Sequence, residues 1–460
     1  LPLPLLDPVA SVPLAWKSRL MPFQVEGVKA LLTFRSLLLA DDMGLGKTIQ
    51  AIAAIRILHA RSELRSALIV VPTSLIIQWR DELRTWAPEL TVTVVRGAPS
   101  VRTEQWRSSG LIKLVGYETM RNDANSRVSH PIRMIQWGLV LLDEASRIKN
   151  APTATARAAK RLNATRRWAL TGTPLENSKQ DVVSILSFLA GRPAKQHTVA
   201  DDDLRTILKF VQLRRRKQDV LPELPAKRVI DLLIDLLPKQ REAYLRAERE
   251  GVRRLREMGP DLPITCVLEL IIRLKQICNR DPLSGQSAKI EDLRDRMSDL
   301  SAEGNRALIF SQFTDSDYGV RRLGIELEAF RPILYIGTMR LDDREESIRQ
   351  FKSDSRHTAM ILSLKVGGMG LNLQEASYVF HCDRWWNPAI EDQAESRAHR
   401  MGQSMPVTVY RYVARGTIEE RIDEILAAKR SLFAQIVEGV SIDAVATNLT
   451  REDLLGLFGL

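Results

Sequence analysis

The chain has 460 residues, with 67 Lys and Arg against 56 Asp and Glu and a formal net charge of +11. At roughly 100–200 residues per domain, that length exceeds one core and predicts two to four domains. A hydrophobic share of 45% with 27% charged residues is ordinary for a globular protein and excludes collagen-like, disordered-tail and bilayer classes.

No apolar run approaches the roughly 18 residues of a spanning helix, so no membrane partner is expected. Cys266, Cys278 and Cys382 lack C-x-x-C spacing. They support neither a disulfide framework nor a zinc site, and a reducing compartment fits best. The first residue is leucine, with no charged segment and cleavage site after it, which predicts a fragment of a longer chain. Charge is uneven: residues 1–300 hold 48 basic and 33 acidic groups, 301–460 hold 19 and 23, and 151–217 hold 14 and 5. A basic excess of that kind suits a polyanion such as nucleic acid, although charge alone equally describes a solvated face.

In chain order, SLLLADD (36–42), ALIVVP (67–72), VTVVRG (92–97), IKLVGY (112–117), LVLLDE (139–144) and RWALTGTP (167–174) are short apolar runs closed by turn residues. They predict buried parallel strands of an α/β sheet. The first runs into DDMGLGKTIQ and a helix, the setting of a phosphate-binding loop. There Gly44 and Gly46 let the backbone curl around phosphate, Lys47 neutralises β/γ charge and Thr48 offers its hydroxyl to Mg²⁺. Asp41 stands where the strict pattern has its first glycine. LVLLDEAS then places Asp143 and Glu144 at a strand end, where an aspartate holds Mg²⁺ and a neighbouring glutamate activates the attacking water.

Residues 178–300 lack such runs apart from VIDLLID (229–235), and carry amphipathic stretches such as QREAYLRAEREGVRRLREM and VLELIIRLKQIC. They predict helical insertions at about 178–217 and 238–283, with the boundary between two α/β lobes near 230. The strand rhythm returns in RALIF (306–310), AMILSL (359–364), YVFHCD (378–383) and VTVYRYVA (407–414). EDQAESRAHRMGQ sets Arg397 and Arg400 three apart, on one face if helical, and their planar forks suit a γ-phosphate. The tail predicts a packing helix at about 417–438, with Thr417 and Glu420 in capping-box spacing.

From about Met21 to Gly439 the chain resembles the SWI/SNF-type DNA-translocating ATPases of helicase superfamily two. The blocks that carry the likeness include LMPFQVEGV, LLADDMGLGKTIQ, ALIVVPTSLIIQW, LVGYETM, LVLLDEASRIKN, ALTGTPLEN, LRRRKQDVLPELPAKR, ALIFSQFTD, the run from LSLKVGGMG to DRWWNP, and DQAESRAHRMGQ. The resemblance implies two RecA-like P-loop NTPase lobes: residues 1–230, binding ATP, and 231–460, carrying an arginine-finger block. It implies Gln24 on the adenine edge and nucleotide contacts from Asp42, Met43, Gly44, Leu45, Gly46, Lys47, Thr48 and Gly370. Lys47, Glu144, Arg397 and Arg400 are then catalytic, and Thr48 and Asp143 hold the metal. Thr171 and Thr173 would couple hydrolysis to lobe movement.

Thr73, Ser74, Tyr117, Ser311 and Gln312 would follow the DNA phosphates, while Trp385 and Trp386 pack the DRWWNP turn. Two positions depart from the family pattern: Ser146 replaces the usual histidine after Asp-Glu-Ala, and Ser396 the usual aspartate or glycine. The implied activity is ATP-dependent translocation on double-stranded DNA, remodelling protein–DNA complexes without strand separation. The cofactors are ATP and Mg²⁺, and the expected form is a monomeric motor in the cytoplasm at the nucleoid, or in a nucleus. A strand-separating DNA or RNA helicase and a non-catalytic DNA-binding scaffold are the alternatives.

Overall fold

The computed structural model describes residues 14–126, 130–172, 179–191, 201–259, 262–364, 371–385, 388–425 and 451–459. Within them the chain divides into two compact units between Glu223 and Leu224. The expected boundary near 230 would cut strand β8 (Lys227–Ile234), which pairs with β13 (Val407–Ala414) along its whole length and so belongs to the second unit.

The first unit is built on one seven-stranded sheet. Its strands are β1 (Ser36–Leu39), β2 (Ala67–Val71), β3 (Val92–Val95), β4 (Ile112–Gly116), β5 (Trp137–Leu142), β6 (Ala164–Leu170) and β7 (Gln212–Leu213), in the order β3-β4-β2-β5-β6-β1-β7. All recorded pairings are parallel. Leucine is a good helix former, yet Leu37, Leu38 and Leu39 form a strand and are buried. Burying each contributes about 1.5–3 kcal/mol, which outweighs a propensity difference below about 1 kcal/mol.

The stretch at 178–217 is not one insertion. Helix α4 (Lys179–Ala190) sends Ile185, Phe188 and Leu189 into the core of the first unit. Helix α5 (Asp201–Val211) is amphipathic and leaves Ile207 and Phe210 exposed. β7 follows it, pairing Gln212 and Leu213 with Leu38 and Leu39.

The second sheet holds β8, β9 (Ala307–Ser311), β10 (Ile333–Tyr335), β11 (Ala359–Ser363), β12 (Tyr378–His381) and β13, in the order β10-β11-β9-β12-β13-β8 and again parallel. Its three-residue β10 escaped the sequence reading because it is too short to show a period. Helices α6 (Pro238–Glu257) and α7 (Ile264–Asn279) form a separate core with Ile418, Ile422, Leu454, Leu457 and Phe458. Helix α8 (Ala288–Ala302) packs on one face of the second sheet. Residues 418–425 are helical, and the expected remainder of that helix lies outside the described residues. The Glu420 carboxylate accepts from the Gly416 N–H at 2.6 Å, one residue earlier than the expected capping box.

Candidate nucleotide site and arginine turn

Strands β5, β6 and β1 lie side by side, with Leu142 opposite Ala169 and Leu170 opposite Leu39. Their carboxyl ends therefore leave the sheet together, the edge where parallel α/β sheets place ligands. From β1 the chain turns through Asp41–Gly46 into helix α2 (Lys47–Ala60). Gly44 (φ 85°) and Gly46 (φ 72°) take left-handed conformations that a side chain would disfavour. The Lys47 ammonium donates to the carbonyls of Asp41 at 2.6 Å and Asp42 at 3.1 Å. Burial pulls its pKa below the usual lysine value, opposed by the charges of Glu144, Asp41, Asp143 and Asp42. From β6, Thr171 donates its N–H to Leu39 at 3.1 Å. At Gly172 a Cβ would lie 2.4 Å from Met43 Cγ and 3.2 Å from Lys47 Nζ, so this turn rests on the phosphate loop. Thr173 lies outside the described residues.

Past β5, one Asp143 oxygen accepts from the Trp79 indole at 2.7 Å, and the other accepts from the Glu144 N–H at 2.9 Å. Trp79 sits on helix α3 (Ile76–Trp86), which follows β2. Glu144 adopts φ 51°, ψ 55°. A left-handed glutamate costs about 1–3 kcal/mol, strain of the kind stored at functional sites.

Gln24, on helix α1 (Pro22–Thr33), is buried. Its amide accepts from Met21 N at 3.0 Å and donates to Leu45 O of the loop at 3.4 Å. Among the described residues no group of three or more His, Cys, Asp and Glu could enclose a metal. The donor set of Thr48 hydroxyl and Asp143 carboxylate fits Mg²⁺, which keeps waters and substrate phosphates in its shell.

Sequence reasoning missed the Asp41 partner. Asp41 is fully buried, and Arg215 meets it with Nε at 3.0 Å, Nη2 at 2.5 Å and its backbone N–H at 3.1 Å. Gln50 donates to the same carboxylate at 3.3 Å and accepts from Arg215 at 2.9 Å. The signal was present: an aspartate closing a fully apolar strand needs a cation if it is buried.

In the second unit, helix α9 (Pro388–Glu395) ends before the two arginines. Arg397 and Arg400 lie in the following turn, where Arg397 N bonds Ala394 O at 3.1 Å and Ala398 N bonds Glu395 O at 3.2 Å. They lie past the end of the helix, in a turn that mixes three-residue bonds with a four-residue bond, His399 N to Glu395 O at 3.0 Å, and Gly402 takes φ 96°. The Arg397 carbonyl accepts from Leu373 N at 3.1 Å and Arg400 donates to Leu371 O at 3.3 Å, which sets the turn beside Asn372. Gly370 and Trp386 lie outside the described residues. Glu395, buried at the end of α9, accepts from Arg411 at 2.6 Å and Lys227 at 2.7 Å, with His381 at 3.5 Å.

Two expected DNA contacts are corrected. Tyr117 is buried, and its hydroxyl donates to the Asp143 carbonyl at 2.7 Å. Burial and the Asp143 charge push its pKa well up, so it is a neutral strut under the acidic pair. Ser311 is buried as well and donates to Asp383 at 2.6 Å, while the same carboxylate accepts from Gln312 N at 3.0 Å and Asn279 at 3.1 Å. Its hydroxyl braces Asp383, the first residue of the DRWWNP block. Thr73 is exposed and bonds Glu118 at 3.0 Å, and Ser74 is half-buried. Trp385 packs against the core of the second sheet.

Two domain families match the chain: the SNF2-related domain over residues 23–283 and the helicase conserved C-terminal domain over 288–402. YwqA of Bacillus subtilis is 33% identical over 97% of this chain and 51% of its own length. The mouse SWI/SNF-related matrix-associated actin-dependent regulator of chromatin subfamily A member 1 is 30% identical over 95% and 45%. The chain spans about half the length of the curated relatives it matches. Among solved structures, the Sulfolobus solfataricus SWI2/SNF2 ATPase core in complex with dsDNA is 28% identical, covering 97% of this chain and 98% of its own, with a TM-score of 0.43.

Proposed function

Because the chain belongs to the SNF2-related family, ATP hydrolases of helicase superfamily two, we propose that it couples ATP turnover to movement along double-stranded DNA, displacing bound proteins without parting the strands. The observation that carries this reading is the convergence of Lys47, beyond β1, with Asp143 and Glu144, beyond β5, at the ends of the two strands that flank β6, in one chain with the arginine turn. The chromatin regulator among the relatives favours duplex DNA as the track.

In this reading Gly44, Gly46 and Lys47 cradle the phosphates, and the Lys47 ammonium exchanges its two carbonyl partners for phosphate oxygens. Thr48 and Asp143 would hold Mg²⁺, which would supply neutralisation of the phosphate charge. Glu144 orients the water and takes its proton. Arg397 and Arg400 offer guanidinium donors to the γ-phosphate, and Thr171 relays the nucleotide state through the Gly172 turn. Thr73, Ser74 and Gln312 grip DNA phosphates, contacts that position without reading sequence. No described helix is long and apolar enough to cross a membrane.

Two assays test the proposal: ATP-dependent displacement of a third strand from a triplex, and release of a labelled strand from a forked duplex. Displacement without unwinding is expected, with ATPase stimulated by duplex of any sequence. Efficient fork unwinding, or stimulation by RNA alone, would falsify it.

A further inference from the structure

The chain that joins the two units is fastened at both ends. At one end, Leu213 accepts from Ala40 N at 2.8 Å and Arg215 O accepts from Asp42 N at 3.0 Å. The Arg215 guanidinium grips Asp41 and Gln50, as described above, and also donates to Phe23 O on α1. Lys217 N then donates to the Asp42 carboxylate at 3.0 Å. The Ala40 bond ties the end of β1, and each of the others lands on the turn whose carbonyls hold Lys47 or on the helices beside it. At the other end, Pro225 O meets His399 Nε2 at 2.9 Å and Lys227 holds Glu395 at 2.7 Å. These contacts fall on the turn that carries Arg397 and Arg400 and on the helix end that leads into it.

We infer that residues 213–227 are a strap between the two catalytic elements, in which Arg215 positions the phosphate loop and Lys227 positions the arginine turn. Arg215 does this because Asp41 has no backbone freedom to spare: a bidentate pair with an added backbone N–H fixes the carboxylate in the plane of the guanidinium. The peptide that bears Asp41 O is thereby fixed, and with it the resting place of the Lys47 ammonium. Lys227 acts on the opposite side through Glu395, the last residue of α9. Only eight residue steps separate Lys217 from Pro225, a contour of at most roughly 30 Å. The inference rests on the proposed roles of Lys47 and Arg400.

The test is steady-state ATP turnover of the full chain, with and without duplex DNA, for Arg215→Lys, Lys227→Met, Lys227→Arg and a Lys47→Ala control. Arg215→Lys keeps the charge and loses the fork. It should raise KM for ATP by about ten- to a hundredfold, the size of a lost charged hydrogen bond, with kcat changed less than about twofold. Lys227→Met should lower DNA-stimulated kcat by about two- to fivefold at unchanged KM, as for a partly exposed ion pair, and Lys227→Arg should restore it.

A purely structural role would lower kcat in both variants in step with the folded fraction and leave KM alone; that outcome, or an unchanged KM in Arg215→Lys, overturns the strap. If Arg215→Lys does not fold, the isosteric Asp41→Asn reads the same split. Normal turnover by Lys47→Ala would instead remove the nucleotide-site reading itself, independently of what the Arg215 variant shows.

Discussion

The Trp79 indole donates to the Asp143 carboxylate at 2.7 Å, so a side chain from the helix after β2 orients an acid at the end of β5. Trp79 is buried and its N–H has a specific acceptor, whereas phenylalanine fills similar space without a donor. Trp79→Phe should leave ATP affinity within about twofold and lower kcat by about tenfold, the size expected for one hydrogen bond to a charged group. Unchanged kcat would mean that the Trp79 indole does not set the carboxylate.

Lys47→Ala and Glu144→Gln should abolish turnover by different routes. The first removes the cation that faces phosphate, so a fluorescent ATP analogue should bind weakly. The second keeps the nucleotide bound but loses about 10²–10⁴ in rate, the usual range for a general base. Equal turnover in the glutamine variant would take Glu144 out of the chemistry.

For the arginine turn, Arg400→Ala should cut turnover by about 10³-fold or more while ATP affinity in the absence of DNA stays close to the parent. Arg400→Lys should fail to rescue it, because an ammonium cannot reproduce the planar fork. A fully active lysine variant would sink the assignment.

Glu395 links this turn to acid stability. Burial pushes its pKa up, but His381, Arg411 and Lys227 outweigh that and hold it well below the ordinary 4.5. A depressed folded pKa means that the stabilisation is complete above the unfolded value and is lost as pH falls through it towards the folded one. Urea unfolding of the parent should therefore weaken from about pH 5 downward. Glu395→Gln should flatten that limb and cost about 3–5 kcal/mol at neutral pH, since it leaves Arg411 buried without its main partner. Parallel acid limbs in the two proteins would show that other carboxylates dominate.

The inner strands of both sheets were legible because they are buried on both faces, so their composition alone marks them. β2, β4, β9 and β11 are buried at every position. The two-residue β7 and three-residue β10 were not, since neither is long enough to carry a pattern. In the site, Lys47, Asp143 and Glu144 could be read from local spacing, as Lys47 follows β1 and the acidic pair follows β5.

The Asp41–Arg215 pair joins positions 174 apart, and nothing local in either segment names the other. Tyr117 and Ser311 were misread for a related reason. A hydroxyl in a loop-like block looks available for phosphate until the fold shows an acceptor, Asp143 O or Asp383, already at 2.7 or 2.6 Å.

The core shared by α6, α7, Ile418 and the helix Arg451–Gly456 has a consequence for synthesis. Tyr244, Leu270, Ile271 and Leu274 leave the ribosome long before Leu454, Leu457 and Phe458 exist to cover them. At roughly 5–20 residues per second, the interval between Leu274 and Leu454 is on the order of ten to forty seconds. During that wait the first unit, whose sheet is finished by Leu213, already has all its strands, while α6 and α7 still present uncovered apolar faces. Nascent chains stalled between about 300 and 400 should therefore recruit holding chaperones through this helical pair, and emergence of the helix Arg451–Gly456 should end that engagement.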